Sequence, residues 1–276
     1  MNTRSRHWAD WTTQDFANTD TSKLVAVLPV GAIEQHGPHL PLSVDADLTH
    51  GVVQACLPHL PAHSQALFLP AQTVGYSPEH AAFAGTLSLK AETLMRLWTD
   101  IAESVAATGV QKLVIFNSHG GQVSLMDVVA RDWRARLGLL VYSVSWFNLP
   151  LHDEAGNDVN AMFDAQEHRF GVHAGDVETS MMLALRPELV RMDQAQRFHS
   201  TAQDRAAQWP ILGNGRSAKL AWQMQDYNPQ GATGNAAAAT ADKGRALVEA
   251  SARALARLLM EVQSLPSDTL RPSAQA

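Results

Sequence analysis

Apolar residues along the chain fall into two alternating patterns. Leu24 to Val30 (LVAVLPV) is a short, nearly unbroken apolar run, the pattern of a parallel strand covered on both faces. Similar runs recur at 66–69, 113–116 and 139–144. Between them lie stretches of helical period. In 91–108, Leu94, Leu97, Trp98, Ile101 and Val105 recur at three- and four-residue spacing before Gly109. In 124–137, Leu125, Val128, Val129 and Trp133 do the same before Gly138. Trp98 and Trp133 therefore read as packing residues. Strand and helix alternating at these intervals predict a doubly wound α/β sheet.

Beyond Trp146 the alternation breaks. Residues 147–172 read as a long polar connection, and long connections in compact domains are usually functional or mobile. A helix is predicted from Asp176 to Leu185, stopped by Pro187, and another from about Ala241 to Val262, packing through Leu247, Leu255, Leu258 and Val262. Residues 191–239, with Trp209, Trp222 and Tyr227 among Gly, Asn and Pro, read as an irregular excursion. The expected organisation is one domain over residues 1–265 followed by a flexible tail, 266–276.

Of the 276 residues, 46% are hydrophobic, which is ample for a core without disulfides. The net charge of −6 has the wrong sign for a protein that grips a phosphate backbone, so nucleic acid is not expected as a partner. The single cysteine, Cys56, cannot form an internal disulfide. It falls in an apparent helix with nothing to mark it as a nucleophile. The first twenty residues lack the apolar stretch of a secretory signal, and no later run approaches a membrane span. A cytoplasmic location is the expectation. There is no Gly-x-Gly-x-x-Gly after the first strand and no phosphate-binding loop.

Twelve histidines are the unusual entry in the composition. Directly after the first strand comes Glu34-Gln35-His36-Gly37-Pro38-His39, then Asp45 and Asp47. In an extended segment residues i and i+2 face the same way, which aims Glu34 and His36 into one space. That space lies at the carboxyl end of a strand, where the ligand crevice of an open α/β sheet opens. The third strand delivers Asn117-Ser118-His119-Gly120-Gly121 to the same edge. A third group, His173-Ala174-Gly175-Asp176-Val177-Glu178, opens a helix. A lone His or Asp beside a glycine is ordinarily a cap or a turn residue. Three such groups, two of them just after predicted strands, favour a metal centre of mixed carboxylate and imidazole ligands, suited to zinc, manganese or iron. Asp45 is the choice for a carboxylate bridging two ions, a pair able to acidify water and polarise a carbonyl. His39, Asp47 and His80 stand open between ligand and structural roles. His50, His59, His63, His152, His168 and His199 lack such company and read as surface or supporting residues.

The motifs PVGAIEQHGPHLPLSVDAD, GYSPEHAAFAGTLSL, NSHGG, HAGDVETSMMLALRPELV and GNAAAATADKG, in that order from about Leu24 to Val262, resemble the creatininase family of metal-dependent amidohydrolases. The resemblance implies a three-layer α/β/α fold with a mostly parallel central sheet, two divalent ions (Zn, Mn or Fe) per subunit, and commonly a homohexamer. Carried onto this chain, it implies Glu34 and His36 as ligands to different ions, Asp45 as the bridge, His119 as the third-strand ligand and His173 as the catalytic base. Relatives that open creatinine carry a tyrosine and a glutamate ligand where this chain has Gly120 and Gly121. The fifth ligand is then expected from Glu178, with His173 the second member of the catalytic pair. Trp146 and Phe170 stand where those relatives close tryptophans over the substrate, and Ser77, Glu79 and Gly120 resemble substrate-side positions. The implied activity is hydrolysis of a carbon–nitrogen bond in a small amide, including cyclic, creatinine-like ones. The alternatives are a deformylase, a peptide-trimming enzyme or a keto-sugar hydrolase of the same family, or a metal-dependent sugar isomerase or lyase.

Overall fold

A strand with no polar side chain to turn toward water must be covered on both faces, and Val25–Val30 (β1) is buried along its whole length. It runs parallel between Ala66–Phe68 (β2) and Lys112–Asn117 (β3), and Leu140–Ser145 (β4) completes the sheet in the order β2-β1-β3-β4. The computed structural model describes residues 4–271.

The helices in chain order are Thr13–Ala17 (α1), Val44–Cys56 (α2), Ala91–Ala107 (α3), Val123–Leu137 (α4), Ala165–Phe170 (α5), Asp176–Leu185 (α6), Thr201–Gln208 (α7), Met224–Tyr227 (α8) and Ala241–Ser264 (α9). Side chains alternate across a strand, so β1 feeds two cores. Val25 and Val27 pack with α2, α6 and α9; Ala26, Leu28 and Val30 pack with α3 and α4. The result is the three-layer α/β/α arrangement expected from the sequence. Trp98 and Trp133 are fully buried in the second core. Truncating either to alanine costs about 3–5 kcal/mol. Gly138 ends α4 in the left-handed region, at φ 70°.

The structure corrects several expectations. Leu97 and Val128 follow the helical period but lie at the margin of the apolar stripe, 36% and 54% exposed, while Met126 and Ala102 take the buried positions. The connection 147–172 holds α5, too short to show a period, whose Asp164 cap accepts from the Gln166 amide at 2.7 Å. The excursion 191–239 contains α7, α8 and a two-stranded antiparallel pair, Arg197–Phe198 (β5) with Gly234–Asn235 (β6). Within 266–271, which the sequence assigns to the tail, Ser267–Thr269 form a 3-10 turn and the Arg271 carbonyl accepts from Arg134 at 2.8 Å, neither of which tests the domain boundary. Residues 272–276 lie outside the described residues. Among the described residues no helix is long and apolar enough to cross a membrane.

Candidate metal centre and active site

From β1 the chain moves outward to β2 on one side, then crosses to β3 on the other. The carboxyl ends of β1 and β3 therefore diverge into loops that leave a crevice between them. Val30 and Asn117 are register partners at that end. After β1, the glycine at 31 lets the chain pass close to α2, where a side chain would stand 3.1 Å from the Asp45 carbonyl. After β3, the turn is tied down by Asn117, whose side chain donates to the His119 carbonyl (2.7 Å) and accepts from the His119 amide (3.0 Å). Asp45 projects from the first turn of α2 and Glu178 from the first turn of α6. Four separate segments thus meet at one sheet edge.

Asp45 lies between two groups of donors. Its Oδ1 is 3.7 Å from His36 Nε2, and its Oδ2 is 3.3 Å from His119 Nδ1. On the first side Glu178 Oε2 stands 3.9 Å from His36 Nε2; on the second Glu34 Oε2 stands 3.3 Å from His119 Nδ1. Glu34, Asp45 and His119 each offer an atom within 4.8 Å of the others, as do His36, His173 and Glu178, and Glu34, His80 and His173. The rings of His36 and His80 flank that of His173 at centroid distances of 4.1 and 4.3 Å.

The charges show what this pocket can hold. Burial opposes protonation of His36, but Asp45, then Glu178 and Glu34, override it and lift the imidazole to about 9. Burial opposes protonation of His119 as well, and Glu34 and Asp45 nonetheless raise it well above its usual value. Asp45 is held below the ordinary carboxylate range; burial acts the other way, and the contacts with His119 and His36 prevail. Burial pushes Glu178 up to about 7, against the pull of His36. His173 goes the opposite way, lowered first by burial and then by His36 and His80, and is therefore a neutral imidazole at neutral pH. The carboxylates draw protons onto two imidazoles because they need positive charge nearby. Glu34 Oε2, His36 Nε2 and Asp45 Oδ2 are buried with no hydrogen-bond partner. Buried polar atoms are nearly always paired, so three orphans facing one space, all of ligand type, fit a pair of divalent cations.

The structure brings together Glu34, His36, Asp45, His119, His173 and Glu178, and it adds His80. It leaves others out. Asp47 is two residues past Asp45 on α2, about 200° around the helix, and there it accepts from Ser43 and pairs with Arg186 at 3.0 Å. His39 faces α6, 2.9 Å from Thr179 Oγ1, and stacks on Phe198. A cavity of about 900 Å³ opens over the cluster. Glu79, Gly120 and Trp146 line it. Ser77 and Phe170 do not. Ser77 is fully buried behind the cluster, its hydroxyl 3.3 Å from His119 Nε2. Phe170, the last residue of α5, is turned into the interior with the Arg169 guanidinium 4.8 Å over its ring. Glu79 occupies the space a side chain at 121 would need, so the second glycine of the third-strand motif admits that carboxylate.

Three participants were not singled out in the sequence. Gln35, between two ligand candidates, has a side chain bonded to His80. Glu167 accepts from the amides of Asp176 (2.6 Å) and Asn235 (2.8 Å), tying the His173 segment to β6. Trp222, in the excursion, forms part of the cavity wall with its ring 6.3 Å from that of His80. A large aromatic in a Gly- and Pro-rich stretch was the available signal for the last.

Residues 9–259 match the family profile Creatininase, described as creatinine amidohydrolase. The chain belongs to the creatininase family. It is 32% identical over 230 residues to a mycofactocin precursor peptide peptidase of Mycobacterium ulcerans, covering 79% of this chain and 78% of that one. To the creatinine amidohydrolase of Pseudomonas putida it is 31% identical over 183 residues, 62% of this chain and 67% of that one. A solved creatinine amidohydrolase superposes with a TM-score of 0.74 at 26% identity, over 95% of this chain and all of that one. Creatininases have been solved in Zn–Zn and Mn forms, each with a TM-score of 0.72 to this chain at 26% identity, over 94% of this chain and 98% of theirs. The family fixes the broad chemistry as metal-dependent hydrolysis.

Proposed function

We propose that this enzyme hydrolyses a carbon–nitrogen amide bond in a peptide-like substrate, and the size of the cavity carries that reading. About 900 Å³ exceeds what a small cyclic amide would fill and suits a ligand of several residues. Trp146, Phe147, Leu125 and Trp222 give it an apolar wall, and no lysine or arginine is among its lining residues, so nothing there asks for an anionic substrate. The peptidase name of relatives at 31–32% identity points the same way. A creatinine-like substrate is the second reading, favoured by the solved neighbours.

His36 and Glu178 would hold one divalent ion, Glu34 and His119 the other, with Asp45 shared between them. When bound, such a pair supplies Lewis-acid polarisation of the amide carbonyl and acidifies water. His173 carries the proton: neutral and buried beside the cluster, its Nδ1 takes a proton from the attacking water and returns it to the leaving nitrogen. The apolar wall offers the substrate's side chains a surface to pack against.

The test is a panel of short peptides and creatinine offered to enzyme reconstituted with Zn, Mn or Fe, run in ¹⁸O-labelled water. Cleaved peptides carrying one solvent oxygen in the new carboxylate are expected. Turnover of creatinine with no peptide cleaved would overturn the substrate reading; a product lacking solvent oxygen would overturn hydrolysis.

A further inference from the structure

We infer that Gln35 is a positioning residue that fixes the tautomers of His80 and His173, and with them the direction in which Glu34 and His173 face the reaction. Gln35 lies between two ligand candidates but points away from them, and it is buried. Its amide orientation is set by two backbone groups: Oε1 accepts from the Gly37 amide at 3.0 Å, and Nε2 donates to the Gly231 carbonyl at 2.9 Å. The opposite orientation would place a donor against a donor and an acceptor against an acceptor. One hydrogen on Nε2 remains, and His80 Nδ1 is 2.7 Å away. His80 Nδ1 must therefore be the acceptor, which puts the ring proton on Nε2. That nitrogen stands 3.2 Å from Glu34 Oε1 and donates to it. Glu34 is thereby left with Oε2, an orphaned buried atom, turned toward His119 and Asp45.

The backbone of the same residue acts on the second histidine. His173 Nε2 lies 2.7 Å from the Gln35 carbonyl, which can only accept, so Nε2 carries the hydrogen and Nδ1 keeps its lone pair. Nδ1 is on the side of Glu34, 3.8 Å from Oε1. The 3.3 Å approach of the Gln35 amide to His173 Nε2 is a contact between two donors whose hydrogens are already committed. Gly231 has φ +79°, and a side chain there would run into the Gln35 amide; glycine at that position protects the arrangement. Groups that orient ligand carboxylates typically change metal affinity 10–100-fold when lost. The catalytic consequence rests on Glu34 being a ligand and His173 the base; the tautomers do not.

The experiment is long-range ¹H–¹⁵N spectroscopy of the histidine side chains in the full-length protein, zinc-loaded and metal-stripped, wild type and Gln35→Glu, with zinc affinity measured against a competing chelator. In the wild type His80 and His173 should both show the Nε2–H pattern. A carboxylate at 35 cannot donate to His80, so in Gln35→Glu His80 should change to Nδ1–H and zinc affinity should fall about 10–100-fold, with kcat reduced more than KM. A wild-type spectrum with Nδ1–H at either histidine overturns the proposal. So does a folded Gln35→Glu protein with unchanged tautomers and affinity within twofold of wild type. Should that variant fail to fold, the wild-type spectrum decides alone. Because the spectra need no substrate, a failure of the hydrolysis reading would leave this result standing.

Discussion

The two walls of the cavity are built differently. One is made by the carboxyl ends of β1 and β3 and the first turns of α2 and α6, and its groups Glu34, His36, Asp45 and His119 are at most 3% exposed. The other, drawn from 146–147, 160–172 and 220–222, is made of 3-10 turns, a six-residue helix and loops, with Phe147 42% and Leu220 50% exposed. Groups that must hold charges to within fractions of an ångström sit on the first turns of helices, as Asp45 and Glu178 do, or on buried turns directly after strands, as Glu34, His36 and His119 do. Groups that only need to meet a substrate's surface sit on irregular segments. On the proposed reading chemistry and selectivity are carried by separable parts of the molecule, so substitutions in the two walls should separate as well.

The largest effect is expected at Asp45, the one carboxylate that faces both donor groups. Asp45→Ala should abolish activity and lower the bound metal from two ions toward none, because each half loses an oxygen; elemental analysis of the desalted protein measures this. Retention of two ions would remove the shared-carboxylate reading. Next is His173, which belongs to the buried wall but is assigned to proton transfer. His173→Ala should lower kcat by about 10²–10⁴ while the metal content stays near wild type. Equal loss of both would make His173 a ligand instead. The irregular wall should behave in the opposite way. Trp222→Ala should leave metal content and turnover of the smallest substrates unchanged and raise KM for bulky apolar peptides about tenfold, the equivalent of about 1.4 kcal/mol of lost contact. A uniform fall in kcat for all substrates would tie the two walls together.

The same division governs how much of the molecule was legible in its sequence. Where burial is two-sided or amphipathic, the pattern reports it: β1, α3, α4 and α6 end within a residue or two of where periodicity puts them. The ligand candidates could be nominated because three groups of titratable residues fall beside glycines, two of them just after predicted strands, a conjunction that caps and turns alone do not produce. Gln35 could not, since its part depends on hydrogen bonds to His80 and to Gly231, the latter 196 positions away in the chain, and His80 stayed open between ligand and structural roles because its contact with Glu34 shows only in the fold. Asp47 and Asp45 differ only by a rotation around α2, which spacing in an unassigned segment cannot reveal. Phe170 was placed by its likeness to a tryptophan, and the short helix that turns it inward has too few residues to show a period.

The junction of the two walls is Ala174, and it should give the smallest effect. It is the only non-glycine residue with positive φ among the described residues, at 54°, and it is fully buried. An alanine there costs roughly 1–2 kcal/mol of backbone energy, and the return is visible: its amide donates to Glu178 Oε2 at 2.5 Å while the preceding residue presents the proposed base. Ala174→Gly relieves the strain but frees the unfolded chain by about 0.4–1 kcal/mol and removes a buried methyl group worth about 0.8 kcal/mol. The terms nearly cancel, so the midpoint of thermal unfolding should move by no more than about 2–4 °C. Activity should respond more than stability. A glycine holds the turn less tightly, and a few-fold loss in kcat with unchanged metal content is expected from steady-state kinetics and elemental analysis on one preparation. If kcat is unchanged, the strained backbone serves folding alone and the junction has no part in catalysis.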